Sequence, residues 1–217
     1  MRNILLTSFE GYGGRRDNPS AMIATALDGR EIGGARIAAK IFPVSFAKLP
    51  ELIGEAISEL DPVAVIGTGL WPGEPMIRIE RLAINFADFG IPDNEGRLQA
   101  GPVVDGGPDA IAATWPAREI VANMLDAGIP ARLSEHAGTF LCNATLYWML
   151  RAIRDRPAAP RVGFMHVPYL PTQICDAIRG IEADRTLELF QRQDVASMAF
   201  ELQLRAASIA IETTMAA

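Results

Sequence analysis

Four side chains dominate the chemistry open to this sequence: Cys142, Cys175, His136 and His166, the only cysteines and histidines in 217 residues. None stands in a CxxC, HxxxH or CxxH spacing, so a zinc ion would have to take all four without one short chelating pair, and no metal site is expected. A thiol and an imidazole can instead act as nucleophile and base. Cys142 lies in HAGTFLCNATLYWML, in the first turn of a segment with helical spacing. There, unpaired N–H groups and the positive dipole end lower a thiol's pKa and favour the thiolate. The competing reading is a buried packing thiol. His166 closes the apolar run VGFMHVP ahead of Pro168, which puts it at a strand's C-terminal end, where α/β sheets collect functional groups. A Cys–His pair needs an acceptor on the second imidazole nitrogen. Glu80, in IRIERLAIN, shares a mostly apolar strand face and suits that task; its alternative is half of an ion pair with Arg78. His136, in the loop SEHAG, is a weaker base, and Cys175, in ICDAI, reads as a packing thiol within a helix.

A second cluster is the glycine stretch GYGG at 11–14, between a strand and a helix. No Gly-Lys-Ser/Thr follows, and Arg16 stands where a dinucleotide fingerprint has its third glycine, so a nucleotide loop is disfavoured. Two readings remain. One is a tight turn needing positive φ; the other has the glycines let Phe9 and Tyr12 project from a strand end into a ligand crevice.

Elements of alternating type must position these residues. NILLT at 3–7 reads as a strand, and AMIATAL as a helix with Asn18 as N-cap and Pro19 at its first position. Strands are expected at 35–42 and 64–67, with a helical stripe over 45–60 between them. This β-α-β alternation calls for a mixed, mainly parallel twisted sheet flanked by helices on both faces, in one α/β domain over residues 1–217. MIRIERLAINFADF alternates as one strand, Ile77 and Ile79 on one face and Glu80, Leu82 and Ile84 on the other. Residues 90–108 form a long ordered loop. Helices follow at 115–126, 141–153, from 172 and at 195–213, with strands at 131–133 and 161–167.

Composition narrows the function classes. With 49% hydrophobic and 21% charged residues the chain can build an ordinary core, which excludes disorder, collagen and coiled coil. A net charge of -6 and the lack of a basic cluster argue against nucleic acid. The opening apolar run is too short for a signal segment and no 18-residue apolar stretch occurs, so no membrane association is expected and the location expected is cytoplasmic. Two thiols in a reducing compartment argue against a disulfide.

With these residues in place, the sequence resembles the pyrrolidone-carboxylate peptidase (pyroglutamyl peptidase I) family of cysteine peptidases. Five blocks carry the resemblance in order: SFEGYGGRRDNPS, IRIERLAIN with IPDNEG, AGTFLCN, GFMHVPYLPTQ and ASMAFELQLRAASIAIE. The resemblance implies a Cys-His-Glu triad of Cys142, His166 and Glu80. It also implies a substrate-ring pocket at Phe9 and Tyr12, with Asn18 as a polar contact. The implied reaction removes an amino-terminal pyroglutamyl (5-oxoprolyl) residue from peptides through an acyl-enzyme, without metal or cofactor, and the implied assembly is a homotetramer or other homo-oligomer. The alternatives are a related amidase using the same triad on another acyl group, and a catalytically silent pyroglutamyl-binding module. The chain departs from the pattern at Gly90, where many members have Arg; at Leu70, where many have Gln, with Trp71 and Pro72 following; and at Gly11, Tyr12 and Ala21. A side-chain donor for the oxyanion is thus missing at position 90, and Arg81 and the Trp71 indole are candidate substitutes.

Overall fold

The alternation of apolar runs and amphipathic stripes produces one seven-stranded sheet with helices against both faces. The computed structural model describes residues 2–156, 158–184 and 195–217. The first half of the chain forms β1 (Asn3–Phe9), α1 (Pro19–Leu27), β2 (Glu31–Ile32), β3 (Ala35–Phe42), α2 (Leu49–Leu60) and β4 (Ala64–Leu70). Then come β5 (Ile77–Glu80), β6 (Leu82–Ile84), β7 (Ala87–Asp88), β8 (Ala100–Gly101) and β9 (Ala110–Ala112). The second half comprises α3 (Ala117–Asp126), β10 (Ala131–Ser134), α4 (Leu141–Ile153), β11 (Arg161–Val167), α5 (Pro171–Asp184) and α6 (Phe200–Ala216).

The large sheet has the order β10-β5-β11-β4-β1-β3-β2. Neighbours run parallel except at β5/β11 and β2/β3, so the sheet is mixed and mainly parallel. Every residue of β4 is buried, as a central strand covered on both faces must be. One core lies between the sheet and α2 and α4, with Leu5, Phe9, Val65, Val162 and Phe164 facing it. The other lies under α1, α3 and α6, with Ile4, Leu6, Ile77, Ile79 and Met165. Asn18 is the N-cap of α1, its Oδ1 accepting from the Ser20 amide at 3.1 Å, with Pro19 opening the helix.

Several expected boundaries move: the helix expected from 45 begins at Leu49, the strand expected over 64–67 runs to Leu70, and the loop expected over 90–108 holds β8. The stretch read as one strand from Met76 breaks after Glu80, because the Arg81 amide donates to Ser134 O while Arg81 O accepts from Ala113 and the chain leaves the sheet. Leu82 and Ile84 therefore belong to the separate β6/β9 ribbon instead of sharing a sheet face with Glu80. The last helix begins at Phe200, five residues later than expected, because Ser197 bridges to Tyr169 and the Met198 amide donates to Tyr169 O, which keeps the approach extended. The glycine stretch turns as positive φ requires, at 58° for Gly13 and 77° for Gly14.

Candidate active site

Strand alternation brings the three expected residues to one side of the sheet. Ile77 and Ile79 face the α3/α6 side, so Arg78 and Glu80 face α4. Val162 and Phe164 likewise send His166 to the α4 side. Because β5 runs antiparallel to β11, Glu80 lies opposite Phe164 and diagonal to His166, within reach of a long side chain. The His166 Nδ1 and Glu80 Oε1 are 2.8 Å apart, and both side chains are almost fully buried. His166 is flanked on its other side by Gly69 of β4.

Gly69 is where the thiol fits. A Cβ there would lie 2.8 Å from Cys142 Sγ and 3.1 Å from the Phe164 ring, so only glycine leaves room for the α4 terminus to approach. Cys142 is the second residue of α4, which has no side-chain cap, leaving the first-turn N–H groups free for another acceptor. The expected fall in the thiol's pKa is not found. Cys142 is partly exposed to the cleft, yet burial of its sulfur and the negative charge of Glu80 push it up to about 12, against the opposing backbone hydrogen bond at the helix start. Among the described residues no hydrogen bond joins the thiol to His166, though both line one cleft. The next residue, Asn143, locks α4 in place: its side chain accepts from the Ile84 amide at 2.9 Å and donates to Ile84 O and Phe86 O.

Glu80 also receives the Arg78 Nε at 3.2 Å on the same oxygen, so it is both an imidazole partner and half of an ion pair. Burial alone would raise its pKa, but the His166 hydrogen bond and the Arg78 charge outweigh this and hold it below the usual carboxylate range. Arg78 in turn donates to Glu74 and Ser134, and its guanidinium carbon lies 3.7 Å from the centre of the Trp71 ring. Trp71 also meets His166 edge-on, with centroids 4.9 Å apart. From the opposite face, the Trp115 indole donates to Glu80 O at 3.1 Å, and its ring occupies the space beside Gly163. In the sequence Arg78 stands only as the alternative partner of Glu80, and the supporting roles of Trp115 and Gly69 emerge from the fold. The alternate glycines of β4, Gly67 and Gly69, and the alternate charges of β5, Arg78 and Glu80, were the available signal.

Above the pair opens a cleft of about 460 Å³, which Cys142, His166, Tyr12, Trp71, Ile91 and Phe140 help to line. Tyr12 packs on Phe140 with centroids 5.8 Å apart. Two expected pocket residues lie elsewhere. Phe9 is 3% exposed and belongs to the core beneath, because alternation along β1 places it with Leu5 on the α2/α4 face. Asn18 lines a separate depression, and its side chain is occupied: Oδ1 accepts from Ser20 and Nδ2 donates to Glu10 O. Gly90 lines the cleft with open space where a Cβ would stand. Arg81 cannot replace a donor there, since it pairs with Glu135 at 2.8 Å and lines a different depression. Trp71 remains on the cleft wall. His136 is exposed, its Nδ1 accepting from the Gly138 amide, and Cys175 is exposed on α5, not packed as expected. Among the described residues no three His, Cys, Asp or Glu side chains gather where they could share a metal ion, and no helix is long and apolar enough to cross a membrane.

A mixed α/β sheet with a thiol at a helix start and a buried imidazole–carboxylate pair under one apolar cleft defines a hydrolase of the cysteine peptidase class. Residues 2–217 match the pyroglutamyl peptidase family model, and the chain belongs to that family. It is 38% identical to the pyrrolidone-carboxylate peptidase of Pyrococcus furiosus over 213 residues, 98% of this chain and 97% of that one. With the Erwinia tasmaniensis pyrrolidone-carboxylate peptidase it shares 44% identity over 174 residues, 80% of this chain and 81% of that one. The pyrrolidone carboxyl peptidase structure from Thermococcus litoralis matches with a TM-score of 0.90 at 32% identity, covering 100% of this chain and 94% of that chain.

Proposed function

We propose that the chain hydrolyses the amide bond that follows an amino-terminal pyroglutamyl residue, with Cys142 as nucleophile, His166 as general base and acid, and Glu80 as the group that orients the imidazole. The observation carrying this reading is the 2.8 Å contact of Glu80 Oε1 with His166 Nδ1 beneath the cleft that Cys142 lines. With Glu80 ionised, Nδ1 keeps the proton and Nε2 presents a lone pair to the thiol. Cys142 Sγ attacks the pyroglutamyl carbonyl carbon as its proton passes to His166. The oxygen takes up negative charge against the free N–H groups at the start of α4. His166 then gives the proton to the leaving amine, and the C–N bond breaks to leave a thioester. Water, deprotonated by His166, attacks the thioester, releases pyroglutamate and restores the thiol.

The lactam ring carries no charge, which suits a cleft walled by Tyr12, Phe140 and Ile91. Self-association as a homo-oligomer rests on the family resemblance, and residence in the cytoplasm on the short opening apolar run and the lack of a long apolar stretch; light scattering of the purified chain tests the first. The decisive experiment is turnover of a pyroglutamyl fluorogenic amide beside its prolyl and glutamyl counterparts. Only the pyroglutamyl substrate should be cleaved, Cys142→Ala should abolish turnover, and Cys175→Ser should retain it. Efficient prolyl cleavage, or survival of activity in Cys142→Ala, would overturn the reading.

A further inference from the structure

The proposed chemistry leaves one basic side chain of the cleft wall unused. Arg15, on the loop between β1 and α1, is partly buried and lines the cleft with Cys142 and His166. Its Nε donates to the Tyr169 hydroxyl at 3.0 Å. Its guanidinium carbon lies 5.3 Å from the Tyr12 ring centre and 5.6 Å from that of Tyr169, so two aromatic rings hold the planar cation. Among the described residues no carboxylate pairs with it and neither Nη has a protein acceptor, although Asp88 lines the same cleft. A long side chain anchored in this way, with its two outer nitrogens unspent, is a donor fork prepared for a ligand.

The anchor indicates which part of the substrate the fork meets. Tyr169 follows His166 by three residues, where the chain leaves β11. His166 has to reach the leaving amine in order to protonate it, and the cation held between Tyr169 beyond His166 and Tyr12 on the ring wall stands at the junction of the ring pocket and the leaving-group side. The 5-oxoproline ring offers only neutral amide groups. The acceptor that matches two parallel N–H donors and a full positive charge is a carboxylate. We propose that Arg15 is a specificity residue that receives a carboxylate borne by the residue after the scissile bond, an inference that rests on the pyroglutamyl peptidase reading of the same cleft. Two sources share this chemistry: the terminal carboxylate of a pyroglutamyl dipeptide, and an Asp or Glu side chain at that position.

Matched substrates separate them. Pyroglutamyl-alanine is compared with its amide, and pyroglutamyl-glutamate α-amide with pyroglutamyl-glutamine amide. At least one carboxylate substrate should show kcat/KM about tenfold above its neutral partner, the gain residing in KM, and the pair that shows it identifies the source. Arg15→Gln should bring that ratio close to one, Arg15→Lys should keep part of it, and salt at about 0.5 M should reduce it. Tyr169→Phe, which frees the fork without removing it, should lower the ratio in part. Parity of both pairs in the unaltered protein, or a gain that survives Arg15→Gln, overturns the inference while leaving the proposed function standing. Failure to cleave any pyroglutamyl substrate removes that function and the inference with it.

Discussion

A thiol pushed up to about 12 is protonated at pH 7, so in the proposed reaction Cys142 attacks only as its proton moves to His166. In the ligand-free protein, alkylation of Cys142 by iodoacetamide should therefore be slow at neutral pH and still accelerating above pH 9, because the thiolate fraction grows until the pH reaches the raised pKa. A rate that has levelled off by pH 7 would mean a preformed thiolate. Removing the base should be severe: His166→Ala is expected to lose about 10²- to 10⁴-fold in kcat. Glu80→Gln should lose less, since the amide oxygen can still accept from Nδ1 but no longer stabilises the imidazolium. His136→Ala should stay near the parent rate, and equal damage from both histidines would sink this ordering. The positions of Cys142, His166 and Glu80 were legible because a helix start, a strand end and an apolar strand face are local patterns. Asn18 and Phe9 were misplaced for the opposite reason: a buried polar or aromatic residue near a glycine loop looks the same in sequence whether it meets substrate or holds the loop. Tyr12→Ala should accordingly raise KM, whereas Phe9→Ala should act through the core, at about 3–5 kcal/mol of stability.

At the level of elements, periodicity assigned the faces of Ile77, Ile79 and Glu80 and left the direction of the neighbouring strand open. Glu80 meets His166 only because β5 runs against β11; the alternation of IRIE places Glu80 opposite Ile77 and Ile79 but says nothing about its neighbour strand. The end of β5 was equally hidden, since LAI continues the alternation while its hydrogen bonds go to β9. Helix α4 and strand β11, by contrast, begin and end where the sequence pattern placed them, at Leu141–Ile153 and Arg161–Val167. The close approach of α4 to β4 depends on Gly69. In Gly69→Ala the new methyl would press on Sγ and the Phe164 ring, so a loss of about 1–3 kcal/mol in stability is expected together with a fall in kcat. Unchanged kinetics in this variant would show that the thiol tolerates displacement. Arg78 links β5 to the Trp71 turn and to Glu74, and its removal leaves Glu74 with Arg132 and Glu80 with His166 as their remaining partners. Arg78→Met should cost about 1–3 kcal/mol in denaturant unfolding, the range for buried polar groups that lose one partner.

The cleft is made where segments far apart in sequence converge, and carboxylates keep them together, exposed at Glu10 and buried at Asp93 and Glu74. Glu10 Oε1 accepts from the Val44 amide at 3.2 Å and from Asn94 Nδ2 at 2.8 Å, which ties the glycine loop to the loop that carries Gly90 and Ile91. Asp93 fixes that second loop, accepting from the amides of Phe46 at 3.0 Å, Glu95 at 3.0 Å and Arg97 at 2.9 Å. Glu74 holds Arg132 and Arg78 beside Glu80. Burial would raise the pKa of both Glu74 and Asp93. The two arginines outweigh it for Glu74 and the three backbone N–H groups for Asp93, and both, like Glu80, are held below their ordinary values of 4.5 and 3.8. A carboxylate depressed in the folded state stabilises the fold above its unfolded pKa and loses that contribution as the pH falls towards the folded value, because the unfolded chain takes up the proton first. The melting temperature should therefore be steady near neutrality and drop as the pH goes below about 5, with each such proton contributing up to about 1.4 kcal/mol per pH unit. Asp93→Asn isolates one of the three. Its amide cannot accept from all three N–H groups, so the variant should be less stable at pH 7, by about 1.5–3 kcal/mol for the charge-assisted bonds it loses. Having no proton to take up, it should lose less on acidification, and the two melting curves should converge between pH 5 and 3. Parallel curves across that range would show that Asp93 holds the loop without contributing to the acid response.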